Sequence, residues 1–182
     1  MALVLKESCD FLRIIGIDPG YAIVGYGILD YADGMFKKVK SGVILTKSKT
    51  KFEIRLQYIY TELNLILQET KPDHMSIEKL YFTTNQKTAI DVAQARGIIV
   101  LTAVQNNVEV FEYTPLQIKQ AIVGYGKAEK KQMINMVASI LKLKEKPSVD
   151  DEADALAVAV CHAHSYNPNN IKMQELIKKQ SR

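Results

Sequence analysis

A chain of 182 residues, 47% hydrophobic and 24% charged, has the length and balance of one globular domain able to bury a core. No apolar run approaches the roughly 20 residues of a membrane span, and Leu3-Val4-Leu5 is too short a stretch for a secretory signal. Cys9 and Cys161 stand far apart without ligand-spaced partners, which argues against a disulfide framework and for free thiols in a reducing cytoplasm.

In chain order, residues 13–18 and 23–30 read as strands, with Asp18-Pro19-Gly20 supplying the turn chemistry between them. Ala32-Asp33-Gly34 makes a second turn into a third strand near 35–46, completing an antiparallel meander. Residues 52–69 are helical, with Ile54, Tyr58 and Leu65 at helical spacing and Pro72 after the end. A short strand, His74 to Glu78, precedes a polar loop that carries Tyr81 and Phe82. The helix predicted over 88–105 is apolar around much of its circumference, the mark of burial on two sides or of a subunit contact. A fifth strand follows at 108–113. Pro115 suits the start of a helix that stops near Gly124, and a second amphipathic helix is predicted over 127–143. Ser148 is placed to cap a last helix from Asp150 to about Ala163, and residues 165–182 form a polar tail. The domain proper spans 13–164, preceded by an extension at 1–12.

Four carboxylates in this layout abut apolar segments. Asp18 and Glu78 each close a strand, whereas Asp151 and Asp154 lie three apart on an apolar helix through Ala153, Leu156, Ala157 and Val160. If the first and fourth strands are parallel neighbours, Asp18 and Glu78 share a sheet edge, where α/β sheets build sites. Positions i and i+3 on the last helix share the face that reaches them. Anions crowded beside a core resist joint ionisation, and the economical partner for several oxygens is a hard divalent cation such as Mg2+.

Each piece has a plainer reading. Asp-Pro-Gly is a good turn, strand ends often carry solvated Glu, and Ser148-x-x-Asp151 resembles a capping box. Asp150 and Glu152 compete with Asp151 on local grounds, and Asp150 shares a face with Asp154. His162 and His164 point apart on a helix, so a zinc pair is not expected. Gly16, Gly20, Gly25 and Gly27 match no phosphate-binding loop. The net charge is only +4, yet with the four acids set aside 24 basic residues face the 16 left of 20 acidic ones. A basic body around an acidic pocket suits a polyanion whose scissile bond must meet a metal.

Taken together, the segments resemble the RuvC family of Holliday-junction resolvases. The resemblance rests on Ile15-Gly16-Ile17-Asp18-Pro19-Gly20, Gly25-Tyr26-Gly27, Ile77-Glu78 and Gln94-Ala95-Arg96-Gly97. It continues through Val110-Phe111-Glu112-Tyr113, Gln117-x-Lys119-Gln120, Val123-Gly124-x-Gly126, Ala128-Glu129-Lys130 and Asp151-x-x-Asp154-Ala155-Leu156-Ala157. These run in order over about residues 13–164.

The resemblance implies a ribonuclease-H-like α/β fold, a five-stranded mixed sheet of three antiparallel and two parallel strands flanked by helices. It implies a homodimeric endonuclease acting on four-way DNA junctions, cutting by paired hydrolysis that leaves 5′-phosphate nicks. Two metals, Mg2+ with Mn2+ able to substitute, are implied at Asp18, Glu78, Asp151 and Asp154, which selects Asp151 over its neighbours. Lys119 and Lys130 match positions that support catalysis and DNA contact, and Tyr81 matches a stacking aromatic whose role its neighbour Phe82 shares or contests. Lys87, Arg96 and Lys127 are further candidate DNA contacts, and a branch-migration motor is an implied partner. The rivals are a single-site RNA-processing nuclease on the same fold and a non-catalytic DNA-binding module. Actin-like phosphotransferases share a Gly-Ile-Asp-x-Gly strand but need a second phosphate loop and an adenosine domain that 182 residues cannot hold.

Overall fold

The computed structural model describes residues 11–80 and 86–166, the side chains of 86–88 excepted. Tyr81 and Phe82 lie outside the described residues, as do the side chain of Lys87, the extension up to Asp10 and the tail beyond Tyr166. Three strands, β1 (Leu12–Asp18), β2 (Ile23–Ala32) and β3 (Met35–Leu45), precede helix α1 (Phe52–Thr70). Strand β4 (His74–Glu78), helix α2 (Gln86–Gln105) and strand β5 (Glu109–Tyr113) follow, and then α3 (Pro115–Val123), α4 (Lys130–Ile140) and α5 (Asp150–Ser165).

The sheet order is β3-β2-β1-β4-β5. β1 pairs antiparallel with β2 and parallel with β4, β2 pairs antiparallel with β3, and β4 pairs parallel with β5. This is the ribonuclease-H-like mixed sheet that the family resemblance implies. Alternation along β1 sends Ile15 and Ile17 to one face, where Ile59, Leu63 and Ile99 of α1 and α2 bury them. Ile14 faces the other side, with Leu156, Val160 and residues of α3 and α4.

Two local expectations need correction. α4 starts at Lys130, not 127, because the Glu129 amide donates to Gln132 Oε1 at 3.0 Å and fixes the start there. It ends at Ile140, not 143, where Lys142 turns into a left-handed φ of 49°. Ser148 does not cap α5. Extended Val149 holds the N-cap position without a side-chain bond, which leaves Ser148 one residue outside. Thr114, by contrast, builds a capping box with Gln117, and Gly124 closes α3 at a φ of 85°, a conformation that suits glycine.

Candidate active site

Register brings the first two acids together. Ile17 of β1 pairs with Ile77 of β4, so Asp18 and Glu78 follow at the same sheet edge. Since Ile17 and Ile77 point toward α1 and α2, both carboxylates point to the opposite face, the one α5 covers. α5 can lie there because two strand positions lack a side chain. A Cβ at Gly16 would collide with the Ala155 carbonyl and the Ala159 amide, and one at Gly25 with the Asp151 carbonyl. The first turn of α5 is thereby seated directly over β1 and β2, which brings Asp151 and Asp154 to the strand ends.

The electrostatics register this crowding. Burial, then the charges of Glu78, Asp154 and Asp151, push the Asp18 carboxyl up to about 7, with Lys130 working the other way. Burial and the neighbouring Asp154 raise Glu78, against Lys119. Burial raises Asp154 as well, opposed chiefly by Lys130. The donor set is oxygen only, the chemistry that a hard cation prefers. Among the described residues no three acids stand at coordinating separation.

Glu78 and Asp154 open onto a cleft of about 300 Å³, whose far wall carries Lys119 from α3 and Lys130 from α4. Asp18 and Asp151 do not line it. Lys130 Nζ lies 3.1 Å from Asp150 and 3.6 Å from Asp154. Asp150 and Asp151 differ in their partners: Asp150 turns to Lys130, while Asp151 contributes to the field at Asp18. Of the other candidates, Arg96 pairs with Glu112 on β5, and Lys127 is exposed in the loop before α4. The pairing of Lys130 with Asp150 and Asp154 and the glycine seats were not identified from sequence. Only the glycines left a signal there, three of them at alternate or near-alternate strand positions facing an alanine-rich helix.

A further buried cluster sits on the same face. His162 of α5 is fully buried, with Nε2 2.9 Å from His74 Nδ1 and Nδ1 2.7 Å from the Tyr113 hydroxyl. One tautomer set satisfies every bond: Tyr113 donates to His162, which donates to His74. His162 is thus a hydrogen-bonded core residue.

The model of the family "Crossover junction endodeoxyribonuclease RuvC" matches residues 14–162. A crossover junction endodeoxyribonuclease RuvC from Alkaliphilus oremlandii is 53% identical over 85% of this chain and 94% of its own length. The same protein from Finegoldia magna is 52% identical over 83% and 92%. Among solved structures, Thermus thermophilus RuvC superposes with a TM-score of 0.78 at 32% identity, covering 84% of this chain and 93% of that one. Thermus thermophilus RuvC in complex with Holliday junction substrate superposes with a TM-score of 0.79 at 31% identity over the same shares. With the strand register and the acid cluster already in place, these matches settle the lineage: the chain belongs to the RuvC family of crossover junction endodeoxyribonucleases.

Proposed function

We propose that this protein is a Mg2+-dependent endonuclease that resolves four-way DNA junctions, acting as a cytoplasmic homodimer. The observation that carries the reading is the cleft where Glu78 and Asp154 face Lys119 and Lys130 beside half-buried Asp18, in a chain of the RuvC family. The relative solved with Holliday junction substrate supports the same substrate here.

Asp18, Glu78, Asp151 and Asp154 would hold the cations, which when bound supply an activated water and stabilise the leaving 3′-oxygen. The rest of the chemistry belongs to the side chains. Lys119 on the opposite wall offsets charge that develops on the scissile phosphate. Lys130, paired with Asp150 and Asp154 in the free protein, exchanges a carboxylate for a phosphate oxygen when DNA enters. Tyr81, or Phe82 in its place, stacks on an unpaired base at the junction centre, an interaction worth about 1–3 kcal/mol. α2 supplies the dimer contact, since Ile90, Leu101 and Val104 are 66%, 48% and 60% exposed, more apolar surface than a solvated helix needs. Docking to a branch-migration motor is proposed on the family resemblance.

The test is a labelled four-way junction beside a matched linear duplex, each incubated with Mg2+ and with chelator. Paired, ligatable nicks in the junction alone, and only with Mg2+, are expected. Equal cutting of the duplex, or cutting in chelator, overturns the reading.

A further inference from the structure

The turn that follows Asp18 is fastened to a second loop by an unusual residue. Arg55, in the first turns of α1, is only 8% exposed, yet among the described residues it pairs with no carboxylate. Its Nε donates to Thr46 Oγ1 at 2.9 Å and its guanidinium lies 3.6 Å over the Tyr21 ring. Thr46 in turn donates from its hydroxyl to the Tyr21 carbonyl at 2.8 Å and from its amide to the Ala22 carbonyl at 2.9 Å. The β1–β2 turn and the β3–α1 loop therefore form one unit at the sheet edge where Asp18 ends.

That unit is strongly cationic and hollow. Between Lys47 and Thr61 the chain carries Lys47, Lys49, Lys51 and Arg55 against a single acid, Glu53. The three lysines are exposed and unpaired among the described residues. Beside them lies a cavity of about 290 Å³ with Lys47, Thr50, Arg55 and Tyr58 in its lining, between walls of Leu45 and Ile54 and with no carboxylate. Lys, Arg, Thr and Tyr side chains are the ordinary partners of nucleic-acid phosphates. Buried positive charge without a counter-ion calls for an anion.

We infer that the β3–α1 loop and its cavity form a second DNA-backbone site, which holds phosphates of an arm leaving the catalytic edge. The inference rests on the junction reading above and adds the contact that the acid cleft does not supply. A duplex is favoured over an acidic protein because the surface is continuous with the Asp18 turn, where the substrate strand must already lie.

The test compares two charge-matched double variants of the full chain. Lys47→Gln/Lys49→Gln removes two charges at the proposed site. Lys37→Gln/Lys38→Gln removes two exposed charges on β3 at the far end of the sheet, opposite Asp30 and Leu29. Binding is measured against salt on a four-way junction and on a linear duplex. The first variant is expected to reduce the slope of log K against log salt by about 2, and affinity by about tenfold or more at moderate salt. The second should keep the wild-type slope and the wild-type cleavage rate. Equal slopes for wild type and the first variant overturn the inference, as does an equal loss in both variants. Unchanged DNA binding with lost binding of a fluorescent Glu-rich peptide assigns the surface to an acidic partner and also overturns it. The junction reading fails separately, if wild type binds and cuts the junction no better than the duplex, because the lysine contact still registers on the duplex.

Discussion

The two ends of α5 bury titratable side chains against the same face of the sheet, and they do so in opposite ways. At its C-terminal end His162 is enclosed by His74, Tyr113, Phe111 and Tyr166, with each ring nitrogen bonded within the protein. At its N-terminal end Asp151 and Asp154 approach Asp18 and Glu78, and burial, then the charges of these neighbours, raise Asp18 to about 7. The first cluster is neutral and internally complete. The second is anionic and relieved only in part, by Lys130 and Lys119. Burial alone does not mark a site. Burial whose electrostatics the fold leaves unresolved does, because a ligand is what resolves it.

The largest effect should come from the unresolved end. Asp154→Asn is expected to lower junction cleavage by more than about 100-fold, since even groups one layer out from a metal cost about 10–100-fold. Binding should stay near wild type, because phosphate contacts by basic residues dominate affinity. Stability in metal-free buffer should not fall, because the change removes like charge. Near-wild-type cleavage would dissolve the distinction between the two ends. A second effect follows for the cations themselves. At about 100 times its Kd, Mg2+ should stabilise the wild type by about 2.7 kcal/mol, read as a rise in melting temperature at pH 8. Asp18→Asn should lose most of that rise. Equal stabilisation in the two proteins would mean that Mg2+ binds elsewhere.

The complete end should behave as structure. His162→Leu leaves the Tyr113 hydroxyl and His74 Nδ1 buried without a partner, at a cost of about 1–3 kcal/mol. Cleavage per folded molecule should be unchanged at a temperature where the variant is folded. Loss of cleavage with intact stability, measured by denaturant titration beside the nuclease assay, would make the cluster part of the catalytic machinery.

What the sequence disclosed follows the same division. Periodicity and turn residues located all five strands and the antiparallel meander. The strand-end positions of Asp18 and Glu78 needed the parallel pairing of the first and fourth strands, which the sequence poses only as a condition, to bring them together. Local reasoning failed where the deciding contact is distant. Asp154 has no basic residue near it in sequence, yet Lys130 lies 3.6 Å away. On sequence alone Gly16 and Gly25 are only strand glycines that match no phosphate-binding loop, and their part as the seat of α5 emerges from a contact distant in sequence. The His74–His162 pair joins residues 88 apart in the chain. Ser148 failed as a cap because a shift of one residue at the start of α5 gave the position to Val149. The choice among Asp150, Asp151 and Glu152 was beyond spacing, because all three share one helical turn and only tertiary partners separate them.

The smallest expected effect is also the most direct contrast, since the two ends should titrate with opposite sign. His162 is pushed down to about 3 by burial and by His74, from an ordinary 6.5. The unfolded chain therefore takes up a proton that the folded protein refuses. Stability from the neutral imidazole is complete above about pH 6.5 and drains as pH falls toward 3. Asp18 is raised from 3.8 to about 7, with Glu78 and Asp154 shifted the same way. Here the folded protein holds the proton more tightly, so the associated stability is present below about pH 4 and is lost as pH rises through 7. In metal-free buffer the two trends oppose each other between about pH 4 and 6.5, and the wild-type profile should be shallow there. Each variant should unmask the other trend. With Asp18→Asn, stability should climb as pH rises across that window, and with His162→Leu it should decline. Denaturant midpoints in chelator at half-unit pH steps would read this out, and parallel profiles for the three proteins would show that the two ends of α5 are not electrostatically opposed.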